Sequence, residues 1–522
     1  MIIVRKFKTA VIDIGSNTIR LVLYEYDQKQ GLYEFGNFKT VARLRTYILP
    51  SGKMSDEGID VLAQTLTSFK EILDDYGVTD IKAAATAAIR QATNQQDIID
   101  KMFELTGIKL SILSEEEEAY FGFVAVAHSM DTPSAITIDI GGGSTEITLY
   151  ENKKLQKTYS FPFGTVSLKQ KFVKGSIISQ SELQKLADYV KKQFNRLPWI
   201  TSKQFPVIAI GGSARNIAQV HQQKTDYPIS TVHQYEMSYN EMNDLKGELL
   251  KMNLEQLKQQ DGLSSDRADI IVPALQVFLT LMEVVDSTVL QVSKKGLREG
   301  LIISRVLHNN DKAFNKYNVF DESAKRIAAE YERSEEEAFT LESLANQFYL
   351  QCCDLGYFQY KEEQARLFKY AARLYAIGEY IEYDSSSQHT FYLISNQSIS
   401  GMNHVTRIKL ALLASYKNKD YFRRFLMPFK DWISREEQNE LRDLGAVLKF
   451  IHALNISKRN IVKSVSIKNV NNSILVETYT MQSAVAEIYY AERQKKHIER
   501  VFKKPVSILF VKEGEKGHGN KL

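Results

Sequence analysis

Two stretches of the chain place an aspartate just ahead of a glycine-rich turn, directly behind an apolar segment. Asp13 precedes Gly15, Ser16, Asn17 and Thr18, and Asp139 precedes Gly141, Gly142, Gly143, Ser144 and Thr145. Such turns expose backbone N–H groups in a concave arrangement that suits phosphate oxygens, and glycine lets a ligand come close. A carboxylate at each strand end can hold a hydrated Mg2+ (or Mn2+) bridging substrate oxygens, because magnesium keeps several waters and needs few protein ligands. Taken singly, each stretch reads as an ordinary hairpin turn whose aspartate accepts hydrogen bonds from its own backbone. Recurrence changes that reading, and a third glycine turn, Gly211, Gly212 and Ser213, closes another apolar segment, Phe205 to Ile210.

Water attack on a phosphoryl group needs a carboxylate or similar base to orient and deprotonate the water. The run Leu113-Ser-Glu-Glu-Glu-Glu-Ala119 offers four. Ser114 followed by Glu117 fits a capping box, and acidic residues in a first helical turn are favoured by the helix dipole. Spacing alone therefore singles out none of the four. Arg90, behind a strand-like segment, has the charge to neutralise phosphate, and Arg43, Arg45, Arg267 and Arg298 are further candidates. The nine histidines are scattered and show no metal-ligand spacing.

These residues need elements to position them. Ile12–Glu25 (IDIGSNTIRLVLYE) aligns without a gap on 138–151 (IDIGGGSTEITLYE), 126 residues further on. Each copy reads as a strand, a tight turn and a second strand, which is a hairpin pattern, and two copies imply a duplicated domain. Between them the apolar spacing predicts a helix over 56–76, a strand over 81–87 and a helix from Ser114 onward, an α/β pattern. From about Asn310 to Val447 the spacing is helical, and strand patterns return at 462–480 and 506–511. Expected domains are therefore 1–127, 128–306, 307–447 and 448–522, the last ending in a frayed tail.

The 522 residues include 67 basic and 63 acidic side chains, a net charge of +4 that is too even for a protein that coats nucleic acid; an anion site must be local. Two adjacent cysteines, Cys352 and Cys353, exclude a disulfide framework and a multi-cysteine zinc site. The N-terminus runs into an apolar strand without a signal-peptide pattern, and the apolar run 270–285 is too short to span a bilayer, so a cytoplasmic protein without a membrane partner is expected.

The ordered set AVIDIGSNTIRLVLYE, ATAAIRQATN, LSEEEEAYFGFVAVAH, TIDIGGGSTEITLYE, AIGGSARNIAQ, DRADIIVPAL and GLREGLI resembles the motif series of the Ppx/GppA phosphatases over residues 7–306. The resemblance implies α/β, duplicated actin-like (ribonuclease H-like) domains with an interdomain cleft. It also implies a Mg2+-dependent hydrolysis of inorganic polyphosphate, with guanosine pentaphosphate as the alternative substrate, guanosine penta- or tetraphosphate as a further binding partner and a noncatalytic nucleotide sensor as a third reading. By the same matching Glu118 is the general base, Asp139 and Glu146 belong to the metal and phosphate region, Gly143, Ser144, Gly212 and Ser213 to phosphate loops, and Arg90 faces phosphate. A homodimer is implied as well. The C-terminal half resembles, more loosely, an all-α HD-like domain followed by a small α+β domain. Tyr375 and Ala376 stand where its His-Asp pair would be, leaving His389 alone, so a degenerate site is expected. Basic groups such as Arg423, Arg424, Lys458, Arg459 and the RQKKHIERVFKK stretch are candidates for a path that guides a long polyanion.

Overall fold

The computed structural model describes residues 6–27 and 31–512; the first five residues and the expected tail, 513–522, lie outside the described residues. Two compact units result, the first ending at Val319 and the second beginning at Phe320.

In the first unit, β1 (Lys6–Ile14), β2 (Thr18–Asp27), β3 (Gly31–Val41), β4 (Ile81–Ala85) and β5 (Leu110–Ile112) form a sheet in the order β3-β2-β1-β4-β5. A second sheet contains β6 (Ala135–Ile140), β7 (Thr145–Glu151), β8 (Lys154–Phe161), β9 (Val207–Ile210), β10 (Tyr235–Ser238) and β11 (Val289–Val292), in the order β10-β11-β9-β6-β7-β8. In each sheet the predicted hairpin leads: β1 pairs antiparallel with β2 and parallel with β4, and β6 pairs antiparallel with β7 and parallel with β9. The sequence repeat is thus a structural one, and the architecture is the duplicated α/β arrangement expected. The edge strands β3 and β8 gave no sequence signal because an edge buries few side chains; β3 has no fully buried residue.

Helices cover the sheets. Asp56–Asp75 starts at Ser55, whose Oγ accepts the Gly58 N–H at 3.3 Å, and it buries Ile59, Leu62, Leu66, Phe69 and Leu73 at helical spacing. The apolar run after Ile270 is the helix Ile271–Val285, buried along nearly its whole length in the core over the second sheet. Among the described residues no helix is long and apolar enough to cross a membrane.

Two helices matter most for the site. Glu115–Ala127 ends the first half, and Leu297–Asn309 follows the second sheet. They meet at Gly300, where an added methyl group would overlap the Phe121 carbonyl. Only a glycine permits this backbone approach.

The second unit is helical from Val319–Glu330 to Arg435–Ala453. It then forms a sheet of β12 (Val462–Val470), β13 (Ser473–Thr480) and β14 (Val506–Lys512), with the helix Val485–Phe502 between the parallel β13 and β14. Two of its buried arginines are neutralised by glutamates: Arg373 pairs with Glu342 at 2.5 Å and Glu335 at 2.8 Å, and Arg333 with Glu337 at 2.9 Å.

Gly300→Ala forces the two helices of the first unit apart and is expected to lower stability by about 1–3 kcal/mol. Urea unfolding of the full chain checks this; an unchanged midpoint would mean that the helix crossing yields without strain.

Candidate active site

The two hairpin turns face one another across a cavity of about 170 Å3 in the first unit. Each turn closes in the same way: Gly15 N–H donates to Thr18 O at 3.0 Å, and Gly141 N–H to Ser144 O at 2.9 Å. Their carbonyls are then tied backwards. Ser16 O accepts from Arg45 N–H, and Asn17 O from Ala42 and Arg43 N–H, at 2.9–3.1 Å. Gly141 O accepts from Thr165 N–H at 2.9 Å, and Gly142 O from Val166 and Ser167 N–H at 3.1 and 3.2 Å. With the carbonyls so engaged, the amides of Ser16, Asn17, Gly142 and Gly143 donate to no backbone carbonyl among the described residues. That is the donor pattern an anion uses. Gly164 makes the second tie possible, since a methyl there would overlap the Gly141 carbonyl. A methyl on Gly142 would lie 3.2 Å from Ser16 Cβ, so the turns nearly touch.

The duplication is asymmetric in charge. On the ladder Asp13 stands opposite Arg20, while Asp139 stands opposite Glu146. Asp13 also accepts from Arg298 Nη1 at 3.2 Å. Arg298 is held in the first turn of Leu297–Asn309, whose start is capped by Glu299 Oε2 accepting the Gly296 N–H at 2.8 Å. The second hairpin keeps two carboxylates on one face with no such partner strand charge. Burial, with the nearby Asp13 charge, pushes Asp139 up to about 6 against the opposing pull of Arg215. Burial and then the charges of Glu118 and Asp139 push Glu146 well above the carboxylate range.

Of the four glutamates after Ser114, Glu118 alone lines the cavity among the described residues. Glu117 is spent on the capping box: it accepts the Ser114 N–H at 2.8 Å while Ser114 Oγ accepts the Glu117 N–H at 3.1 Å. Arg90 donates to Glu118 Oε2 at 3.0 Å and to Leu113 O at 2.9 Å. Burial raises Glu118 to about 7 even so, because the Arg90 contact offsets only part of the lost hydration. A carboxyl titrating there can accept a proton from water near neutral pH.

Gly15, Ser16, Asn17, Thr18, Gly142, Gly143, Ser144, Gly212, Asp13, Asp139 and Glu146 all line the cavity. Arg90 lies behind Glu118 and off the wall. Thr145 is buried with its hydroxyl on Phe163 O at 2.7 Å. Ser213 is buried with its Oγ 3.4 Å from Arg267 Nη1, whose guanidinium lies over Gly212. Arg267 and Arg298 reach the cavity, whereas Arg43 and Arg45 contribute backbone N–H groups to the first turn. Arg20, Lys39 and Arg215 also line it and escaped the sequence reading. For Arg20 a signal existed: it aligns with Glu146 in the repeat, a charge reversal at one position.

The donor set limits the metal that fits. Among the described residues no group of three or more His, Cys, Asp or Glu is arranged to hold an ion. Asp13 is already neutralised by Arg298. Asp139 and Glu146, two crowded carboxylates, suit a hard cation that keeps most of its waters, which describes Mg2+ better than a fully protein-caged metal.

The family model described as "Ppx/GppA phosphatase family" matches residues 22–309, and "Ppx/GppA phosphatase, domain III" matches 319–497. Exopolyphosphatase 1 of Mycobacterium tuberculosis is 25% identical, with 57% of this chain and 88% of that protein covered. A guanosine-5'-triphosphate,3'-diphosphate pyrophosphatase of Aliivibrio fischeri is 24% identical over 88% of this chain and 91% of its own length. The chain spans 47% of a bifunctional 3-dehydroquinate synthase/phosphatase of Fusobacterium nucleatum, at 27% identity. The crystal structure of the Aquifex aeolicus Ppx/GppA family member is 25% identical with a TM-score of 0.53, covering 58% of this chain and 99% of that one.

The raised Glu118 pKa has a cost in stability. Between its ordinary value of 4.5 and about 7 the folded state keeps a proton that the unfolded chain has released, so stability falls as pH rises through that window. Glu118→Gln removes the penalty. It is expected to raise the unfolding free energy of metal-free protein by about 1–2 kcal/mol at pH 8, with the gain vanishing towards pH 4.5. Thermal melts across that range test it, and a pH-independent difference would contradict the assigned cause.

Proposed function

This chain belongs to the Ppx/GppA phosphatase family, and from that premise we propose that it is an exopolyphosphatase, releasing orthophosphate one unit at a time from the end of inorganic polyphosphate. The observation that carries the reading is the make-up of the cavity wall. Two outward-facing amide turns share it with five cationic side chains, Arg20, Lys39, Arg215, Arg267 and Arg298, a surface matched to successive phosphate groups.

The amides of Ser16, Asn17, Gly142 and Gly143 hold the terminal phosphate, and the guanidinium groups hold the units behind it. Glu118, fixed by Arg90, orients a water and takes its proton. The water oxygen bonds to phosphorus as the anhydride bond breaks, and the shortened chain departs as an anion beside the arginines. Mg2+ or Mn2+, held by Asp139 and Glu146, would neutralise charge on the phosphoryl oxygens. Arg90 acts through Glu118 in this scheme.

A second reading, hydrolysis of guanosine pentaphosphate in the same cavity, is favoured by the Aliivibrio relative, which aligns along 88% of this chain. Paired assays of orthophosphate release from polyphosphate and from guanosine pentaphosphate separate the two. Release from neither would leave a noncatalytic nucleotide sensor.

Glu118→Gln is expected to reduce turnover by about 10^2 to 10^4 with substrate affinity largely retained. Near wild-type turnover in a folded variant would remove Glu118 from the mechanism, and an equal loss in Glu117→Gln would move the assignment there. Activity is expected to disappear after exhaustive chelation and to return with Mg2+ or Mn2+. Asp139→Asn should raise the metal concentration needed; full activity in the chelated protein would exclude the metal.

A further inference from the structure

The second unit contains a cavity of its own, about 220 Å3, lined by Ile377–Tyr380 and the residues that follow, by 414–417, and by the helices Arg435–Ala453 and Val485–Phe502. Tyr375 and Ala376, at the place of the missing His-Asp pair, form part of its wall. Ala376 holds left-handed backbone angles, φ 58° and ψ 25°, with its N–H on Ala414 O at 3.0 Å. Such a conformation persists in alanine only where its surroundings impose it.

One cation on this wall stands without an acidic partner. Lys449 Nζ donates to Lys417 O at 2.7 Å and lies 3.2 Å from His497 Nε2, and among the described residues no carboxylate pairs with it. Burial, reinforced by Lys496 and Lys417, lowers its pKa to about 8. His497 is pushed down to about 4 by burial, Lys449, Arg500 and Lys496, so it is neutral and supplies no counter-charge. Of the acids on the wall, Glu379 is paired with Lys458 at 3.5 Å, and Asp384 meets Lys417 through its backbone carbonyl at 3.0 Å. The Ser415 hydroxyl, also on the wall, is buried with no hydrogen-bond partner among the described residues. The contrast with Arg333 and Arg373 in the same unit is direct, since each of those is ion-paired. Four tyrosines, Tyr375, Tyr383, Tyr416 and Tyr490, line the same cavity.

We propose that this cavity is a second ligand site, distinct from the hydrolytic one, for a small phosphomonoester bearing a planar ring. The phosphate sits on Lys449 and Ser415, and the ring lies among the tyrosines. The tyrosine wall of this cavity of about 220 Å3 favours a phosphate that carries a ring over a bare phosphate chain.

Equilibrium dialysis of the full chain against labelled adenosine 5'-monophosphate tests the site, with and without tripolyphosphate to occupy the first unit's cavity. Binding is expected to survive the tripolyphosphate, to weaken at least tenfold in Lys449→Met and about three- to tenfold in Ser415→Val. Lys449→Met removes a half-buried charge that no carboxylate pairs, so its thermal midpoint should not fall, and lost binding cannot then be read as lost folding. Absence of binding, binding undiminished in Lys449→Met, or equal binding of adenosine without phosphate would each overturn the proposal. Inorganic phosphate matching the nucleotide in affinity would overturn the ring contact.

Discussion

Holding four carboxylates in one small cavity is the constraint around which the first unit is organised. Asp13, Glu118, Asp139 and Glu146 line the same 170 Å3, and burial raises the pKa of each of them. Such a cluster opposes folding in the absence of cations, so the surrounding structure must hold it rigidly. Strand pairing does so for three of the four. For Glu118 the work falls on a helix wedged, through Gly300, against the helix that presents Arg298.

Duplication supplies the frame, and divergence at one position gives the two halves different chemistry. Both hairpins turn their amides outward by tying their carbonyls to the next segment. Opposite the aspartate, however, one hairpin carries Arg20 and the other Glu146. The first half is thereby self-neutralised and suited to anions. The second is left with negative charge that a cation would relieve. A symmetric pair would carry the same charge on both walls.

The second unit follows a different electrostatic rule. Buried Arg333 and Arg373 are matched by glutamates, which keeps the helical core specified at modest cost. Lys449 departs from that pattern at a place where a cavity, an orphan hydroxyl and a left-handed alanine coincide. Local departures from an otherwise satisfied network are where ligand sites are found.

Much of this was legible in the sequence because it is local. The repeat, both glycine turns, the Ser114–Glu117 capping box and the change from α/β to helical pattern depend on neighbours a few residues apart, and the periodicities of strand and helix report them directly. Edge strands β3 and β8 were not legible, since an edge buries too little to impose alternation. Nor was the composition of the cavity wall. Whether Glu115, Glu116, Glu117 or Glu118 reaches the cavity depends on how one helix is rotated against a partner some 180 residues later in the chain. Arg90 stands behind Glu118, and Lys39 and Arg215 arrive from two separate elements because long-range packing brings them there, whereas Arg20 faces Asp13 across its own hairpin. Sequence by itself determined where the two glycine turns fall behind their strands; only the tertiary structure decided which charges surround them, since convergence of distant segments is set by core packing and leaves no local period to read.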